Sequence, residues 1–136
     1  MAKSGRVILA VLAGAILWAV LWNIGTRVAQ ALFPELLPLD QPITHAGILV
    51  AYIGYSVVLS IAAGFVTAVC GGRNPMTAVW ALATLQLTLG VVFEVSYWNL
   101  LPVWYHLVFL ALIVPATVFG GVLRVSGRGA TAHAAT

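Results

Sequence analysis

Gln86, Gly90 and Glu94 stand four residues apart in a stretch that carries no other charge, so on a helix all three share one face. Glu94 is the residue best suited to chemistry. A charged group within an apolar span costs roughly 2.5–3.5 kcal/mol on insertion scales, so it turns toward the bundle interior and finds a partner. The predicted partner is Arg27, which ends the first apolar run on the same side. Asn23 sits one turn from Arg27 on the same face. His45 and His106 open the second and fourth apolar runs at a similar depth, and Tyr52 follows His45 by two turns. Trp104 and Tyr105 adjoin His106. Gly90 apart, these nine residues define a predicted ligand-binding chamber beneath the outer membrane surface, centred on Glu94, Arg27 and His106.

Several chemistries fit such a set. The simplest is a buried Glu94–Arg27 ion pair that fixes helix order. A second is a pocket for a small polar molecule, a lipid headgroup or a quinone head. A third is proton or ion handling at Glu94, which the lack of further acids across the span disfavours. A fourth is haem or metal held by His45 and His106. No spacing motif supports that ligation, so no cofactor and no metal ligand are assigned. There is no Gly-x-Ser-x-Gly, no phosphate-cradling glycine loop and no His-Glu-x-x-His. No catalytic residue is assigned, and nothing in the sequence requires enzyme activity.

The elements that position these residues follow from where charge is missing. No Asp, Glu, Lys or Arg occurs in 7–26, 41–72, 74–93 or 95–123. A bilayer-crossing helix needs roughly 20 mostly apolar residues. Hydrophobic residues make up 62% of the 136-residue chain and charged residues 7%, with a mean hydropathy of +1.09. A soluble domain carries about 25% charged residues, so this chain cannot coat a soluble surface. The expectation is an all-α antiparallel bundle of four transmembrane helices in one domain over 1–125, with spans near 7–29, 43–70, 75–97 and 102–123. Residues 126–136 are expected to form a disordered cytoplasmic tail. The first run exceeds the roughly 7–15 apolar residues of a signal peptide, so it is read as a retained span.

Lys3 and Arg6 precede the first span, Arg73 separates the second from the third, and Arg124 and Arg128 follow the fourth. With an even number of crossings these share one side. The excess of basic residues makes that side the cytoplasm, with both termini inside. The basic residues are scattered singly, which argues against nucleic-acid binding. The lone Cys70 permits no intrachain disulfide and reads as a small helix-end residue. Trp18, Trp22, Tyr97, Trp98, Trp104 and Tyr105 gather toward the outer face, as an interfacial belt would.

Local signals mark the ends of the spans. Asn74-Pro75 reads as an N-cap followed by proline at the first helical position. Gly71-Gly72 supplies a left-handed stop for the second span. Pro115 falls inside the fourth span and predicts a kink. Packing is expected along two stripes of small residues, Ser56-Ser60-Gly64-Ala68 in the second span and Ala10-Gly14 in the first, because close approach holds helices together in lipid. Trp22-Asn23 echoes Trp98-Asn99, and Leu36-Leu37-Pro38 echoes Leu100-Leu101-Pro102, as a duplicated two-helix unit would.

The run from Tyr97 through Trp98, Asn99, Leu100, Leu101, Pro102, Val103, Trp104, Tyr105 and His106 to Leu107, together with Pro115 and the acidic, proline-containing outer loop, resembles small four-span bacterial inner-membrane proteins of unknown function. The resemblance implies the four-span layout and a bacterial inner-membrane location, and no mechanism. The functional expectation is a non-enzymatic accessory, scaffold or self-associating subunit that meets the lipid bilayer and a protein partner or second copy through its helices. The alternatives are a small transporter or ligand-binding protein using Glu94, Arg27 and His106, and a haem- or quinone-binding redox subunit.

Overall fold

The computed structural model describes residues 2–38 and 41–134, with side chains for 4–38 and 41–129. It contains four helices, α1 (Ala2–Leu32), α2 (Ala46–Cys70), α3 (Pro75–Ser96) and α4 (Val103–Ala134), and no strand among the described residues. All four are long and apolar enough to cross a membrane. Large apolar side chains such as Ile16, Val58, Val92 and Leu107 are exposed on the outside of the bundle. A soluble protein would hide such a surface, whereas lipid solvates it.

The boundaries have local causes. His45 caps α2, its Nδ1 accepting the Ile48 N–H at 3.2 Å. Gly72 takes φ +68° after α2, the left-handed conformation that glycine adopts without strain. Arg6 of α1 donates from Nε to the Cys70 carbonyl at 3.1 Å and so satisfies an orphan acceptor at the end of α2. Asn74 occupies the N-cap of α3 with Pro75 behind it, but its side chain makes no capping bond. The helices depart most from the expected bounds at the two ends of the chain. α1 begins at Ala2 and not near position 7, and α4 does not give way to a disordered tail at 126 but stays helical to Ala134. No proline follows Pro115, and the alanines of the last segment favour helix strongly enough to carry it past Gly127 and Gly129. Pro115 itself lies inside the continuous helix.

Residue pairings give the directions. Glu94 meets His106, Gln86 meets Thr117 and Val79 meets the Gly121 backbone, so α3 and α4 are antiparallel. Leu49 and Ile53 cluster with Tyr105, Phe109 and Ile113, while Gly64 meets Thr117 and Gly120 meets Ile61. Numbers rise together there, so α2 and α4 run parallel, and this is the most extensive helix pair. The contact is reciprocal. The bare Cα of Gly64 faces the Thr117 carbonyl, and that of Gly120 faces the Ile61 carbonyl. Any Cβ at either glycine would collide with backbone. Ser60-Gly64 and Ala116-Gly120 therefore act as matched small-residue pairs that bring the two helices into close contact.

α1 packs on α2 and α3, and its backbone does not approach α4. Ala10 and Gly14 form its buried stripe, with Gly14 set against Thr67, Ala63 and Leu82. α1 reaches α4 through Trp22, whose indole lies 5.7 Å from the Phe109 ring and also adjoins Tyr52, Tyr55 and Phe93. The expected aromatic belt thus divides. Tyr97, Trp98 and Trp104 are exposed at the end that carries the α3–α4 turn, whereas Trp18 and Tyr105 are buried in the bundle.

Candidate functional site

The α3–α4 connection is short, and this brings the end of one helix beside the start of the next. His106, in the first turn of α4, bonds through Nδ1 to Oε2 of Glu94, twelve residues earlier in the last turns of α3. Both side chains are fully buried, at 0% and 1% exposure. The other ring nitrogen of His106, Nε2, lies 3.3 Å from the Trp98 carbonyl oxygen. The Trp98 indole stacks on the imidazole with centroids 4.5 Å apart and planes 9° apart, roofing the pair.

The roles in these contacts follow from the tautomer. With its hydrogen on Nδ1, His106 donates to the Glu94 carboxylate; with it on Nε2, the ring donates to the Trp98 carbonyl and Nδ1 accepts from a carboxylic acid. In either arrangement the carboxyl group has the partner that burial in an apolar bundle demands.

A second polar pair lies deeper. Thr117 Oγ1 donates to Gln86 Oε1 at 2.6 Å, both residues being fully buried. Between the two pairs Gly90 packs against α4. A Cβ placed there would stand 3.0 Å from Ile113 and 3.2 Å from Leu110. An apolar layer therefore separates Glu94–His106 from Gln86–Thr117, although Glu94 and Gln86 share a helix face.

The structure places the nine residues of the predicted chamber in different surroundings. Glu94, Gln86, Tyr105 and His106 are buried between α3 and α4 or beside them, Tyr105 stacking on Phe109. Arg27 is exposed and makes no ion pair among the described residues, so the expected Glu94–Arg27 bridge gives way to Glu94–His106. The reason is the face each residue occupies: Arg27 is on an exposed face of α1, although α1 packs on α3, whereas Glu94 turns toward His106 of α4. Asn23 is exposed and bonds back to the Ala19 carbonyl at 2.8 Å. His45 is exposed and occupied in capping α2. Tyr52 is half-buried, its ring 5.9 Å from that of Trp22. Trp104 is exposed and lines an open cavity of about 340 Å³ with Pro42, Ile43, Asn99 and Pro102.

The two histidines envisaged as haem or metal ligands are thus separately engaged. His45 Nδ1 serves Ile48, and both nitrogens of His106 have protein partners. No group of three or more metal-type ligands occurs among the described residues. Sequence reasoning missed Trp98 as the roof and Thr117 as the partner of Gln86. Thr117 was signalled only as a lone hydroxyl in an apolar run, and Trp98 by its place in the short turn. Comparison with protein-family models, curated proteins and solved structures finds no match for this chain.

Proposed function

We propose that the chain is a small accessory or scaffold subunit of a bacterial inner membrane, with both termini cytoplasmic, that works by lateral contact with a protein partner or a second copy. One observation carries this reading. Glu94 bonds His106 and Thr117 bonds Gln86 across the α3–α4 seam, and the apolar layer at Gly90 keeps the two pairs apart. Such pairs lock helices together. What remains available for action is the outside of the bundle, above all α1, the least buried of the four spans, with Leu12, Ile16, Val20 and Ile24 exposed along it. The distribution of Arg6, Arg73, Arg124 and Arg128 supports the orientation.

The test is isolation of the tagged full chain from its native membrane in mild detergent, followed by native mass spectrometry. The expected result is a defined stoichiometric partner or homo-oligomer. A monomer that carries nothing at every detergent concentration contradicts the proposal.

A second reading, ligand or proton handling within the bundle, has its own support. Glu94 Oε1 and Gln86 Nε2 are buried without hydrogen-bond partners. Under that reading Glu94→Gln abolishes transport or proton flux in vesicles, whereas under the scaffold reading flux is absent from both forms.

A further inference from the structure

The end of the bundle that carries both termini holds an open cavity of about 700 Å³, lined among others by Arg6, Arg73, Arg128, Gly72, Val69 and Val125. Its three guanidinium groups come from three separate segments: the start of α1, the α2–α3 turn and the end of α4. Positive charge near the cytoplasmic surface is enough to set topology, but topology does not require that distant segments converge on one hollow. We propose that this cavity binds the phosphate of an anionic phospholipid headgroup.

The chemistry is specific. Arg6 is anchored by its Nε bond to the Cys70 carbonyl, which leaves its two terminal amino groups free of that bond. Arg73 and Arg128 are exposed around the same hollow. Guanidinium groups match phosphate oxygens in bidentate geometry. Among the described residues no acid balances them: Glu35 and Glu94 lie at the opposite end. Arg124, one turn before Arg128 on α4, adds a fourth positive charge and has a buried Nε without a hydrogen-bond partner.

The apolar part of the lining selects the source of the phosphate. Val69 and Val125 are exposed at the cavity and offer surface to glycerol and acyl carbons that a free phosphate lacks. Basic hollows between spans at a cytoplasmic surface are suited to phosphate-bearing lipid heads. The proposal rests on the chain crossing a membrane, and not on the scaffold role.

The test uses the full chain in mild detergent with phosphatidylglycerol and phosphatidylcholine as probes, read by native mass spectrometry across a lipid titration. Both lipids carry the phosphodiester, but choline brings a cation toward the arginines and glycerol brings none, so the expected result is a preference for phosphatidylglycerol of about tenfold or more. R73Q/R128Q should remove that preference, and R27Q, at the opposite end, should leave it. Both substituted positions in the double variant are exposed; if it fails to fold, Arg128→Gln alone is read in the same way. Equal binding of the two lipids, or an unchanged preference in the variants, overturns the proposal. Full displacement of phosphatidylglycerol by inorganic phosphate would assign the cavity to the free anion and overturn the lipid assignment. Protein that is folded and soluble without detergent would instead remove the membrane reading itself.

Discussion

The imidazole of His106 and the carboxyl of Glu94 are bonded within one helical hairpin, beneath the stacked indole of Trp98. The pair joins two neighbouring helices across a short turn, so it closes α3 on α4 without fixing where α1 lies. An amide at position 94 would keep both a donor and an acceptor within reach of Nδ1.

Glu94→Gln should therefore cost less than about 1 kcal/mol of stability, whereas Glu94→Ala strands a buried ring nitrogen and should cost about 1–3 kcal/mol. Thermal unfolding in detergent distinguishes them. Equal damage from the two substitutions would mean that the carboxylate charge itself is needed.

The reciprocal glycine contact gives a second expectation. Gly64→Ala and Gly120→Ala each place a Cβ against the backbone of the facing helix. Each should lower stability by about 1–3 kcal/mol, the usual cost of forcing extra volume into a packed core. Gly54, with nothing within 4 Å of its would-be Cβ, is the control. Gly54→Ala should be neutral or stabilising by up to about 1 kcal/mol, since alanine is the better helix former. Equal effects at all three sites would contradict the close α2–α4 crossing.

The deeper pair predicts non-additivity. Thr117→Val leaves the Gln86 carbonyl oxygen buried without its donor and should cost about 1–2 kcal/mol. Adding Gln86→Leu removes the stranded group, so the double variant should recover most of that loss. Losses that simply add would show that the hydroxyl and the amide do not interact.

Much of the architecture is legible in the residues because lipid is a severe solvent. Four uninterrupted charge-free runs allow few alternatives, and Gly71-Gly72-Asn74-Pro75 marks the inner turn by backbone chemistry alone. The burial of Glu94 is legible for the same reason: a carboxyl group in a span has nowhere else to go. Its partner is harder to read. Arg27 has the complementary charge and the right depth, and α1 does neighbour α3, but depth does not say which way each side chain turns. The short turn from Tyr97 to Pro102 held the better clue, since it places His106 beside Glu94 whatever the order of the bundle.

The members of the expected chamber share a depth, and residues at one depth need not face one another. Asn23 and Arg27 turn outward on α1, and His45 is taken by the backbone of its own helix. The stripes of small residues did better, because a smooth face requires a close neighbour, whichever helix supplies it. The last segment of α4 shows a different limit. Its glycines read as an end to helix, yet its alanines carry the helix on.

The most direct test of the four-crossing bundle is which side of the membrane each end occupies. Gln41→Cys and Ser126→Cys, each in a Cys70→Ala background, place single exposed thiols at opposite ends. Intact bacterial cells are treated with a membrane-impermeant maleimide before and after permeabilisation. The expected result is labelling of position 41 in intact cells and of position 126 only after permeabilisation. Labelling of both positions from the same side would contradict the four-span account.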